Sequence, residues 1–140
     1  MPQVAQHPGE LTRDLFDAFV SGALDRFLAG CCEDLLLTVR GSGSLTTLVA
    51  KADIASWYAS MVELAGTLRS EVGMVLSEDR TQIVLLRHAL IRGGAEHHYE
   101  TVNRCTFRDG SLASWFSHPV RAEEYARAWG LPSGVQRVPA

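Results

Sequence analysis

Two histidines and a tyrosine carry most of the chemistry this 140-residue chain could perform: His88, His118 and Tyr99. A neutral imidazole near pH 7 can take a proton from beside a carbonyl or from a hydroxylated ring carbon. A phenol such as Tyr99 can donate a hydrogen bond to the enolate oxygen that then develops. Tyr58, Trp57, Thr101, Asn103 and Phe116 are the expected substrate contacts. The competing role for His88 and His118 is that of satisfied buried histidines, and for Trp57 and Tyr58 plain packing. Thr101 and Asn103 could equally bond each other and buried water. His97, beside a glycine pair, is expected at the surface, and Asp34 in a loop between a helix and a strand.

Other chemistries lack their spacing. Cys31, Cys32 and Cys105 form no zinc-ligand pattern, and the adjacent pair is badly placed to bridge itself. They are expected as small buried hydrophobes in a reducing compartment. No metal and no organic cofactor is expected. No glycine-rich loop opens a helix to cradle a phosphate, and no nucleophile elbow is present. The net charge of −3 offers no electrostatic reason to bind nucleic acid or an anionic membrane. No apolar run reaches bilayer length, and the first residues lack a signal-peptide pattern, so the cytoplasm is the expected location. Lys51 is the sole lysine among 13 basic residues, a bias expected of a GC-rich bacterial genome.

The elements that must position these side chains follow from periodicity. Residues 1–10 read as a flexible lead-in, 11–130 as one domain and 131–140 as a C-terminal tail. After Thr12, a plausible N-cap, Leu15, Phe16, Phe19, Val20, Ala23, Leu24, Phe27 and Leu28 predict one amphipathic helix stopped at Gly30. Short strands are expected at 35–39 and 45–49, separated by a turn at 41–44. A second long helix is expected over 51–65, with Ile54, Trp57, Tyr58, Met61 and Val62 on one face. From Leu68 the period becomes two. Leu68, Ser70, Val72, Met74 and Leu76 are expected to share one face, with Arg69, Glu71 and Ser77 on the other. Strands follow over 82–92, 96–108 and 112–118, and a last helix over 122–129. Helices first and a long meander afterwards predict an α+β fold with a strongly curved antiparallel sheet.

Two tight turns set an expected register. With Gly93-Gly94 as a two-residue turn, His88 lies opposite Tyr99, Leu86 opposite Thr101, and Arg87 opposite Glu100. With Asp109-Gly110 as the next, Cys105 lies opposite Ser114, Asn103 opposite Phe116, and Thr101 opposite His118. One concave face then gathers His88, Tyr99, Thr101, Asn103, Phe116 and His118 as a small-molecule pocket. The other face carries Ile83, Leu85, Ala89, Val102 and Trp115, too apolar for free solvent, and predicts a homodimer.

These elements, with the runs Lys51-Ala52-Asp53-Ile54 and Thr106-Phe107-Arg108-Asp109-Gly110-Ser111-Leu112 and His118-Pro119 before the last helix, resemble the nuclear-transport-factor-2-like superfamily. Within it they resemble the ketosteroid isomerase and polyketide cyclase (SnoaL-like) branch, over about residues 11–130. The resemblance implies a cone-shaped curved sheet, a cystatin-like α+β barrel, covered by N-terminal helices. It also implies frequent dimers and cofactor-independent acid–base chemistry of an isomerase, cyclase or dehydratase on a small, apolar, oxygenated compound. His118 stands where many members place a carboxylate, and no Asp or Glu occupies the expected pocket face of the last two strands. A histidine base is the corresponding expectation. The alternative is a non-catalytic ligand-binding or dimeric assembly module of the same fold.

Overall fold

The alternating stretch from Thr67 onward forms four consecutive antiparallel strands in the computed structural model, which describes residues 8–41, 46–78 and 80–130. Before them come α1 (Pro8–Val20), α2 (Leu24–Ala29), β1 (Cys31–Arg40), β2 (Thr46–Ala50), a 3-10 turn (Lys51–Asp53) and α3 (Ile54–Ala65). The meander is β3 (Thr67–Glu78), β4 (Thr81–Arg92), β5 (Ala95–Arg108) and β6 (Ser111–Pro119), and α4 (Ala122–Trp129) closes the order. The six strands form one sheet in the order β2-β1-β6-β5-β4-β3, with β1 parallel to β6 and every other pair antiparallel. The fold is thus α+β, with helices packed on one face of a curved sheet. No helix among the described residues is long and apolar enough to cross a membrane.

The helical part departs from expectation in two places. Helix α1 begins at Pro8, inside the expected lead-in, so Thr12 is not its N-cap. The Thr12 hydroxyl donates to the Pro8 carbonyl oxygen at 2.7 Å from a fully buried position in the second turn. The expected single helix also breaks at Gly22, whose φ of +84° reverses the chain. The apolar period runs on because α1 and α2 both bury residues in the same core, so periodicity alone hides the break. The expected turn at 41–44 and the tail lie outside the described residues, apart from Gly41.

The first of the two glycine hairpins has the predicted register throughout. Gly93 and Gly94 both take positive φ, as a type I′ turn requires, and His88 pairs with Tyr99, Leu86 with Thr101 and Arg87 with Glu100. The second turn also forms, with Asp109 at φ +53° and Gly110 at +80°. One step beyond it the register departs from expectation. Phe107 pairs with Leu112 but Thr106 with Ser114, leaving Ala113 as an extra residue in β6. That β-bulge turns over every side chain that follows it. Cys105 therefore faces Trp115, Asn103 faces Ser117 and Thr101 faces Pro119. Trp115 points into the core at 3% exposure, whereas Phe116 and His118 point to the convex face. A second bulge at Gly73 does the same in β3, so Met74 and Leu76 are exposed and Val75 packs inward. Both bulges bend the sheet around its helices.

The core is aromatic at its centre. The Trp115 ring meets those of Phe16, Phe19 and Phe27 edge-on, with centroids 5.2, 5.0 and 5.5 Å away. Tyr58 of α3 reaches Phe19 at 5.0 Å. A smaller cluster under α4 joins Leu90, Tyr99 and Ala128 with Leu68, Tyr125 and Trp129. Arg92 fixes α4 by donating from Nε to the Ala128 carbonyl at 3.1 Å, which satisfies a helix-end acceptor.

Candidate functional site

A chain of polar side chains crosses four strands on the concave face. Ser70 of β3 lies with its Oγ 2.7 Å from His88 Nδ1, and His88 Nε2 lies 2.9 Å from Thr101 Oγ1. The Asn103 amide nitrogen donates to Thr101 Oγ1 at 3.0 Å, and the Trp115 indole nitrogen donates to Asn103 Oδ1 at 2.7 Å. Pairing places these groups: Ser70 opposes His88 between β3 and β4, and Thr101 and Asn103 alternate along β5 toward the same side. Asn103 is 1% exposed, so its hydrogen bonds replace the water it gives up.

The electrostatics follow from enclosure. The His88 ring stacks on Tyr99 at 4.6 Å with 22° between planes, and both its nitrogens are engaged. Burial pulls its pKa down to about 4, so the imidazole is neutral at physiological pH. Burial pushes the Tyr99 phenol above its ordinary range and holds it protonated. Tyr58 and Tyr125 shift upward for the same reason. Burial pushes the Cys31 thiol up to about 12 and also raises Cys105; all three cysteines are free. Thiols so raised carry almost no thiolate at neutral pH and are inert as nucleophiles. Asp34 is exposed and accepts a 2.7 Å hydrogen bond from Arg108, which holds its carboxyl below the usual range.

Of the expected site residues, the structure brings His88, Tyr99, Thr101 and Asn103 together. It separates His118 and Phe116 from them, because the Ala113 bulge sends both to the opposite face, their rings 5.9 Å apart. The His118 Nδ1 stands 3.2 Å from the Pro119 carbonyl oxygen. Trp57 and Tyr58 lie on the inner side of α3, packed at the edge of the core. Ser70 and Trp115 are members of the polar chain that the sequence did not single out. Alternation along β3 does place Ser70 on the face shared with His88, but nothing short of the bulge reveals Trp115.

The apolar stripe of α3 is not fully buried. Trp57, Tyr58, Met61 and Val62, its apolar face, are only half-buried, as are Ser70, Val72 and His88 on β3 and β4. An amphipathic helix flush against a sheet would bury that stripe. Surface clefts are present among the described residues. One of about 500 Å³ runs along Leu11, Asp14, Leu15, Asp17, Ala18 and Arg26. Another, of about 450 Å³, is lined by Arg69, Ser70, Glu71, Arg87, His88, Ala89 and His98. Its charges are matched, Arg69 with Glu96 at 3.1 Å and Arg87 with Glu100 at 3.5 Å. Among the described residues no three His, Cys, Asp or Glu side chains converge as a metal-ligand group.

No family model and no curated protein matches the sequence. Solved structures do match the fold. Bal32a, from a soil-derived mobile gene cassette, superimposes with a TM-score of 0.75 at 19% identity, over 86% of this chain and 94% of that one. Wild-type IdmH of Streptomyces antibioticus, proposed to be a polyketide cyclase, gives 0.72 at 13% identity, over 90% and 100%. An NTF2-like protein of unknown function from Burkholderia pseudomallei gives 0.69 at 16% identity, over 85% and 94%. The chain has the cone fold of the nuclear-transport-factor-2-like proteins, the fold also found in IdmH.

Proposed function

We propose that this chain is a SnoaL-like small-molecule-binding protein whose ligand is a small, largely apolar, oxygenated compound. The ligand lies between the half-buried face of α3 and the Ser70–His88 end of the concave sheet. The observation that carries this reading is the polar chain that ends at half-buried Ser70, together with an apolar face of α3 that is itself only half-buried. Apolar walls with a few convergent polar groups are what such ligands need. The geometry favours binding over proton abstraction by histidine. An imidazole pulled to about 4, with both nitrogens bonded, is a weak base at neutral pH.

The test is calorimetric titration of the chain with 1-tetralone, 2-naphthol and juglone. At least one is expected to bind in the micromolar range, and Trp57→Ala to weaken it by about tenfold through lost apolar contact. No binding by any of the three up to millimolar concentration overturns the reading. His118→Ala is expected to leave the affinity unchanged, since that ring lies across the sheet. A tenfold loss in that variant would move the site to the other face.

The convex face is proposed as a homodimer interface. Leu36, Leu48, Met74 and Leu76 are 43, 63, 48 and 54% exposed there, beside half-buried Leu85, Val102 and Phe116. A patch this broad is uncommon on a monomer. Multi-angle light scattering at micromolar concentration is expected to show a dimer and Val102→Asp a monomer. A monomeric wild type removes the proposal.

A further inference from the structure

We propose that the polar chain has a fixed direction, making the Ser70 hydroxyl a one-way hydrogen-bond donor that selects ligands presenting a neutral oxygen acceptor. This rests on the small-molecule reading and specifies its ligand. The direction starts at one group. An indole N–H can only donate, so the Asn103 oxygen must be the atom facing Trp115. The Asn103 nitrogen is therefore the donor toward Thr101 Oγ1 and, at 3.3 Å, the Val84 carbonyl. Thr101 Oγ1, having accepted that bond, must place its own proton. Among the described residues His88 Nε2 is the acceptor it meets, at 2.9 Å. The reverse arrangement, with His88 Nε2 protonated, would leave a hydroxyl proton of the buried Thr101 without an acceptor.

His88 is thereby fixed as the Nδ1–H tautomer, and Nδ1 donates to Ser70 Oγ at 2.7 Å. Ser70 has accepted, and its remaining proton has no acceptor among the described residues. Ser70 is half-buried on the face it shares with His88, so that proton is available to a ligand seated there. Two consequences follow. Ser70 is not a nucleophile, because the neighbouring nitrogen gives it a proton rather than taking one. The matching ligand group is a ketone, quinone or ether oxygen. A carboxylate would find one hydroxyl donor, while alternation along β3 and β4 sends the Arg69 and Arg87 side chains to the face opposite Ser70 and His88.

The experiment has two arms on the full chain. Long-range ¹H–¹⁵N correlation spectra with ¹⁵N-labelled histidine read the His88 tautomer without any ligand. Nδ1–H is expected, with Thr101→Val converting it to a tautomer mixture; Nε2–H in the wild type overturns the proposal. The second arm compares 1-tetralone with tetralin, which lacks the oxygen. The ketone is expected to bind about tenfold more tightly, one hydrogen bond's worth, with Ser70→Ala abolishing the difference while leaving tetralin unchanged. Equal binding of ketone and hydrocarbon by the wild type overturns the acceptor selectivity and leaves the small-molecule reading in place. Binding of neither overturns that reading and this proposal with it.

Discussion

Replacing Trp115 by alanine is expected to lower folding stability by about 3–5 kcal/mol, a large share of the 5–15 kcal/mol typical of a domain. The indole is 3% exposed, wedged among three phenylalanine rings, and cannot be removed without leaving a cavity. Trp115→Phe keeps much of the volume but strips Asn103 Oδ1 of its 2.7 Å donor. An orphaned buried acceptor costs about 1–3 kcal/mol, so this variant should fall between alanine and wild type. The companion substitution is Phe116→Ala. A straight β6 without the Ala113 bulge would put Phe116 in the core and Trp115 outside, whereas the observed register puts Phe116 on the convex face. Urea unfolding followed by circular dichroism checks the order, with the midpoint shifting at constant slope. If Phe116→Ala costs more than Trp115→Ala, the bulge is misplaced, and the inner end of the polar chain goes with it.

That bulge also marks where the sequence stopped being legible. Both hairpin turns could be read because Gly93-Gly94 and Asp109-Gly110 are residues that accept positive φ in adjacent positions, and they adopt it. Turn chemistry fixes register only as far as the ladder stays regular. From Gly93-Gly94 it carried the reading through Val84 and Asn103 without error. From Asp109-Gly110 it failed after one pair, because Ala113 has no side-chain feature that announces an extra residue. The cause is tertiary: a curved sheet needs a bend there, and a tryptophan is too large to leave outside an aromatic core. The Gly73 bulge had a local signal, a glycine inside a strand pattern.

The candidate site divides along the same line. His88, Tyr99, Thr101 and Asn103 depend on the regular hairpin and were placed correctly on one face. His118 and Phe116 depend on the irregular one and were not. Charge gave independent support where it existed. Arg87 sits between Glu100 at 3.5 Å and Glu71 at 3.7 Å, as cross-strand pairing required for the first of them. No comparable pair spans β5 and β6 to report the slip. Side-chain polarity could not supply it either, since a histidine and a serine at positions 118 and 117 are equally plausible facing inward.

The second large effect is a loss of stability in mild acid carried by one histidine. Burial depresses the His88 pKa to about 4 from an ordinary 6.5. Between those values the unfolded chain binds the proton and the folded one does not, so stability rises with pH across the window. The contribution is complete above about pH 6.5 and is lost as pH falls toward 4. A difference of about 2.5 units corresponds to roughly 3 kcal/mol at the acidic end. Protonation there would also charge Nε2, which accepts from Thr101, and so break the polar chain at its centre. Asp34 acts in a lower window. Its carboxyl is held below the usual range by Arg108, so its ion pair survives until the pH has dropped past that of an ordinary aspartate. Urea midpoints measured from pH 7.5 to 4.5 in wild type and His88→Gln separate the contributions. The variant should start less stable at pH 7.5 and show a much flatter slope between pH 6.5 and 4.5. Matching slopes in the two proteins would mean that His88 is hydrated in the folded state, and its role as a neutral, enclosed link would have to be given up.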